Sequence, residues 1–266
     1  MSRYCILAAT VFSMLLLTAG CAQSDADPQD FVNAISIPEP ADYLLDTEWD
    51  IENNYSLSAP DKQALAPLSA AFGQVLFHHR LAPTGDVSYT TDSGLFVDAD
   101  FRGYTPVWEE FRGTLPVEET DSENEVSKYL FSAAAALGQN FGGEDFARDL
   151  PQMLSSVESV FGCEIQRYVY SDESFPNRRD EIIAIITEEI DNNRPCIIRV
   201  QAPSSEFSMP LVLDGYLDHD TGFFVHLNWS ARGVLNGWYD LFSQITHFHE
   251  DLEHRTIITI HPREDS

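Results

Sequence analysis

The chain has 266 residues, 44% of them apolar, which suffices for one full-size hydrophobic core. Its 43 acidic residues against 15 basic ones leave a net charge of −28, and the acids are spread along the chain rather than gathered in a tail. Such a surface repels nucleic acid and anionic lipid and excludes a phosphate-binding role; its plain use is solubility in a salty medium, where counterions screen self-repulsion.

Residues 1–21 read as a targeting segment. Arg3 precedes an apolar run from Cys5 to Leu17 that is too short to span a membrane and suits a signal peptide. Thr18-Ala19-Gly20-Cys21 closes it and resembles a bacterial lipobox, with Thr18 where Leu is usual. Cys21 would then be the lipidated first residue; an ordinary signal peptide cut nearby is the alternative. Residues 22–40, with the acids from Asp25 to Asp30, read as a tether. The expected location is a bacterial cell envelope, held to the membrane through lipid alone, or secretion.

Apolar spacing then predicts three helices. Leu68, Phe72, Val75, Leu76 and His79 form one stripe after Pro67; Val126, Leu130, Ala133, Ala134 and Leu137 form a second, stopped by Gly138. Ile182, Ile183, Ile186 and Ile190 form the third, ending at Asn192-Asn193. Strand-like stretches run over Val87–Thr91 and Leu95–Phe101, and later over Cys196–Val200, Met209–Leu217, Gly222–Asn228, Gly237–Leu241 and Arg255–Ile260. Helices first and an antiparallel sheet afterwards is an α+β order. Residues 41–262 form the expected domain, with 263–266 a short tail.

Four motifs stand in order along that domain. The first is Leu44-Leu45-Asp46-Thr47-Glu48-Trp49-Asp50-Ile51, running on to Tyr55. The second runs from Ala66-Pro67-Leu68-Ser69 through Gln74 to His79, followed by Leu81-Ala82-Pro83 and the stretch Phe101–Leu115. The third is Met209-Pro210-Leu211-Val212-Leu213-Asp214-Gly215-Tyr216. The fourth is Phe224-Val225-His226-Leu227-Asn228-Trp229, with Gly233 and Gly237-Trp238-Tyr239. Together they resemble the streptopain family of papain-like cysteine peptidases. The resemblance implies a helical half facing a β half across a cleft.

A cysteine peptidase needs a thiolate, best placed at a helix N-terminus beside an imidazole, and a donor for the oxyanion. The family's motifs supply these as a Gln after the early Trp, a Cys opening the long helix, and a His before Val-x-Asp-Gly. Position by position, this chain has Ile51, Pro67 and Met209 there. Isoleucine donates nothing, proline has no nucleophile and methionine has no titratable nitrogen. Proline suits a helix's first position, so it can keep the helix start. Trp49, Gln74, Asp214, Asn228 and Trp229 survive and are the candidate binding residues; Asp214-Gly215 reads as a turn or strand-end device. The family's Gly-Trp-Gly-Gly loop has become Ser230-Ala231-Arg232-Gly233. The resemblance also implies a long propeptide, whereas only 22–40 separates Cys21 from the first motif; that is the expectation for a chain with no activity to restrain.

The resulting expectation is binding without catalysis, with a peptide or protein in the cleft and no cofactor. An active cysteine endopeptidase with a shifted site and a purely structural envelope lipoprotein are the alternatives. Among other residues, Ser69 is expected to be a cap or solvated, and His226, between Val225 and Leu227, to face away from the core. Cys196 reads as a buried structural thiol, and a disulfide with Cys163 is open. His78-His79, and His247, His249 and His254 with Glu250, Asp251 and Glu253, have ligand-type side chains; a solvated loop is preferred to zinc because no His-Glu-x-x-His spacing occurs.

Overall fold

A computed structural model describes residues 34–116, 118, 124–142, 145–171, 174–201, 208–242 and 254–263; for 176, 200, 201, 208, 209 and 254 it describes the backbone only. The lipobox with Cys21, most of the tether, and His247 to Glu253 lie outside the described residues.

Helix α1 spans Pro67–His78, with Pro67 at its first position as the missing N–H there requires. Helix α2, Glu125–Leu137, starts on a reciprocal cap between Asn124 and Ser127 and stops at Gly138, which adopts φ 78°. Helix α3, Leu150–Phe161, repeats the device with Asp149, Gln152 and Gly162. Its stripe of Met153, Leu154, Val157, Val160 and Phe161 is buried although the sequence reading passed it over. Two more helices follow, α4 over Ser174–Asn177 and α5 over Arg179–Asp191.

A small antiparallel hairpin joins β1 (Asp86–Thr90) to β2 (Phe96–Asp100). The main sheet has the order β3-β8-β4-β5-β6-β7 and every described pairing in it is antiparallel. Its strands are β3 (Cys163–Ser171), β4 (Cys196–Gln201), β5 (Ser208–His219), β6 (Gly222–Asn228), β7 (Gly237–Asp240) and β8 (His254–Pro262). The expected order of helices before sheet therefore needs correction: β3 precedes α4 and α5. Strand β3 was missed because the alternation in Cys163–Ser171 breaks at Gln166-Arg167 and resumes as a Tyr-Val-Tyr run, with burial chiefly at the ends.

The sheet separates two cores. On one face Ile197, Val212, Ile258 and Ile260 pack with α1, α2 and α3. On the other Cys196, Ile198, Leu211, Leu213 and Ile257 pack with Ile182 and Ile186 of α5. Period-two alternation accounts for the division, since successive residues of β4 enter opposite cores. The segment from Ile35 to Leu44 is laid over the β5–β7 side of the sheet: the Ile35 N–H donates to the Trp238 carbonyl at 2.9 Å, and the Leu44 N–H to the Asp214 carbonyl at 2.8 Å.

Candidate functional site

The helical half and the sheet are joined by polar side chains that the motifs supply. Gln74, on the buried side of α1, accepts at Oε1 from the Thr47 hydroxyl (2.8 Å) and from Asn228 Nδ2 (3.1 Å). Its Nε2 donates to Ser230 Oγ at 2.9 Å, and the Ser230 N–H donates to Asn228 Oδ1 at 2.9 Å. Asn228 Nδ2 also donates to the Thr47 carbonyl. Each buried amide thus has partners on the other half, as burial demands. Thr47 and Ser230 were absent from the sequence-derived list; nothing in their residue type marks them. Trp49 is fully buried, lies tilted 5.0 Å from the Phe77 ring, and donates its indole N–H to the Arg112 carbonyl at 2.8 Å. Of the five candidate binding residues, Trp49, Gln74, Asp214 and Asn228 are buried and spend their polar atoms within the protein; Trp229 is half-buried.

Asp214 is a correction. It does not end a strand: it sits inside β5, where the register slips between Leu213 and Gly215. The bulge turns its carboxylate inward. Oδ1 meets His226 Nδ1 at 2.6 Å and Oδ2 accepts the Leu45 N–H at 3.1 Å. Burial pushes the Asp214 carboxyl upward in pKa, and His226 and the Leu45 N–H oppose that rise. His226 is buried as well, because Tyr43 stacks on it at 3.9 Å and Trp238 meets it edge-on at 5.4 Å. The strand alternation that suggested an outward histidine is correct, but the segment before Leu45 covers that side. Gly215 is required there, since a Cβ would lie 2.9 Å from the Asp42 carbonyl oxygen.

Ile51 and Pro67 come together. The Ile51 carbonyl accepts the Leu65 N–H at 2.8 Å, two residues before Pro67, and both side chains are half-buried. Gln139 closes the helix start beneath them: its Oε1 accepts from the Ala66 N–H (3.0 Å) and the Ser69 hydroxyl (2.8 Å), and its Nε2 donates to the Ala64 carbonyl (3.1 Å). Ser69 is therefore buried and committed, neither the cap nor the solvated residue expected. Met209 is placed by backbone alone, opposite Val200 in β5.

The loop after β6 carries the altered glycine motif. Ser230 and Arg232 both hold φ 54°, and Gly233 holds φ 73°. These are three of the four positions of the Gly-Trp-Gly-Gly resemblance, and they are the three that have glycine there. The left-handed backbone is kept while two glycines are gone, at a cost of about 1 kcal/mol each. The new side chains make contacts in return. Ser230 joins the Gln74 network, and Arg232 Nε reaches Asp50 Oδ2 at 2.6 Å with its guanidinium 5.4 Å from the Tyr55 ring centre. Arg232 thereby ties the sheet side to the residue beside Ile51.

Among the described residues, neither internal cysteine is placed as a replacement nucleophile. Cys163 and Cys196 are buried and unbonded to each other, in different cores on opposite sheet faces. Burial pushes the Cys163 thiol up to about 12 and Cys196 further up. Among the described residues no three His, Cys, Asp or Glu side chains gather as a metal site would require. His78 and His79 meet only edge-on, ring centres 5.2 Å apart.

Comparison with known proteins places this arrangement. No curated protein matches the chain. Two solved structures from Prevotella intermedia share the fold. One is a prointerpain A fragment carrying a Cys-to-Ala mutation, with TM-score 0.60, 21% identity, and coverage of 85% of this chain and 75% of that one. The other is active wild-type interpain A cysteine protease, with TM-score 0.58, 19% identity, and coverage of 87% and 97%. The sequence model of the peptidase C10 family matches residues 49–239, from the buried Trp49 into β7; Tyr43, Leu45 and Thr47 lie just before that span. The chain belongs to the peptidase C10, or streptopain, family.

Proposed function

We propose that this chain is a non-catalytic member of the family that binds a peptide or protein between its helical half and its sheet. It would act in a bacterial cell envelope, from a lipid anchor on Cys21. The observation that carries the reading is the residue set Ile51, Pro67 and Met209, standing where the resemblance puts oxyanion donor, nucleophile and base. The geometry around them supports it. Pro67 keeps the helix start that a nucleophile would need, so the scaffold outlives the chemistry. A thiol raised to about 12 is thiolate in only on the order of one molecule in 10⁵ at neutral pH, so Cys163 does not replace the missing group.

The test is hydrolysis of a fluorogenic casein by the purified chain, with and without iodoacetamide. No turnover is expected; turnover abolished by the thiol reagent sinks the proposal. For the anchor, the intact mass of the envelope-extracted chain should show acyl groups on Cys21, and Cys21→Ala should release the protein from membranes. A mature mass matching plain cleavage elsewhere would remove the anchor from the reading.

A further inference from the structure

The face of the sheet that carries the helical half is not apolar along its whole length. Antiparallel register puts Ile260, Ile258 and Thr256 of β8 in one file, and Thr256 lies opposite Arg199 of β4 and Val169 of β3. Arg199 in turn lies opposite Pro210 of β5, next to Met209, and Arg167 lies opposite Ile258. Alternation places Arg199 and Arg167 on the face of Ile197 and Val212, the face that α1 covers. Helix α1 has its C-terminal end at the start of β4, where His78 bonds the Asn193 carbonyl at 3.0 Å, and Gln74 at the row of Asn228 and Val212. Between those two points it crosses from β4 to β6, and its Pro67 end lies about 10 Å beyond Gln74 at 1.5 Å per residue. Beyond the helices this face opens: Val169 is 51% exposed and Arg167 is exposed.

Two arginines on such a face, in neighbouring rows on either side of β8, are unexpected. The chain has only 15 basic residues among 43 acids, and Arg102, Lys128, Arg178, Arg194 and Arg232 each pair with a carboxylate. Arg199 is half-buried, its Nε is buried without an acceptor, and among the described residues neither it nor Arg167 meets a carboxylate. Arg199 and Arg167 lie on the same sheet face with only β8 between their strands, and burial and the Arg167 charge both push the Arg199 pKa down. A buried guanidinium N–H with no acceptor, facing a second cation, is costly unless something supplies the missing anion. A carboxylate satisfies both, since the guanidinium fork matches its geometry.

We propose that Arg199 and Arg167 form a carboxylate-binding site on the sheet side of the cleft, in the rows next to Met209, and that the peptide held there is acidic. This rests on the cleft-binding reading and gives its ligand a charge. The net charge of −28 does not oppose it at contact range, because charges more than about 8 Å away are screened at physiological salt. The test is fluorescence anisotropy of the full mature chain with two labelled, amidated hexapeptides, Ala-Ala-Glu-Glu-Ala-Ala and Ala-Ala-Gln-Gln-Ala-Ala. The Glu peptide is expected to bind at least tenfold tighter. Arg199→Gln should remove that preference, Arg167→Gln should reduce it severalfold, and Arg102→Gln, on the hairpin, should leave it unchanged. Arg167 is exposed, so its variant keeps the test sound if Arg199→Gln fails to fold. Equal binding of both peptides, or a Glu preference surviving both substitutions, overturns the carboxylate site and leaves the cleft reading intact. Binding of neither peptide overturns the site and counts against the cleft reading too.

Discussion

His79 carries the clearest titration in the molecule. Burial first, and then the charges of His78, Arg194 and His261, push its pKa down to about 4. The unfolded chain takes up that proton near 6.5 and the folded chain only near 4. Its contribution to stability is thus whole above pH 6.5 and is lost as pH falls from there through 4, about 3 kcal/mol in all. Urea unfolding at pH 7 and pH 4 should show the loss, and His79→Gln should lessen it; an unchanged difference would assign the pH effect elsewhere. Asp214→Ala removes the partner of both His226 and the Leu45 N–H, so a destabilisation of about 2–4 kcal/mol is expected in the same assay. The motif marked Asp214 in the sequence, but not its partners. The Leu45 N–H reaches it at the bulge in β5, and Tyr43 stacks on its partner His226, tertiary contacts that no local pattern announces.

Among the elements, the loop after β6 and the start of α1 are the most informative. Ser230 holds a glycine-like φ of 54° and bonds Gln74. Ser230→Ala keeps the strain and loses the bond, so a cost of about 1–2 kcal/mol is expected. Ser230→Gly loses the same bond but relieves about 1 kcal/mol of strain, so it should cost less than the alanine variant. The opposite ranking in chemical denaturation would show that the left-handed backbone carries no penalty. The elements with strong periods were legible: Pro67–His78 and Glu125–Leu137 fall where their stripes and their Pro or Gly signals put them, and Gly222–Asn228 was read to the residue. Helix α3 was not among the predicted elements; it lies between the family motifs. Its Asp149-Leu150-Pro151-Gln152 start is in fact a plain capping signal.

For the whole molecule, charge and topology matter most. Raising salt from about 0.1 M to 1 M NaCl should raise the melting temperature, since screening relieves the repulsion of 43 acids faster than it weakens the few described ion pairs. A lower melting temperature would show that pairs such as Asp50–Arg232 outweigh that repulsion. The α+β class and the helix-against-sheet arrangement were legible because four motifs kept their order. The joining of the halves was not: Gln74, Thr47, Asn228 and Ser230 lie up to 183 positions apart in sequence numbering, and only the folded chain brings them into one network.

The two internal thiols lie in separate cores, one with the helical half and one with α5. The molecule therefore carries its own pair of clocks. A small alkylating reagent can reach Cys163 only when the α1–α3 side opens, and Cys196 only when the α5 side opens. Modified together, they report one cooperative unfolding; modified at different rates, they time which face of the sheet lets go first.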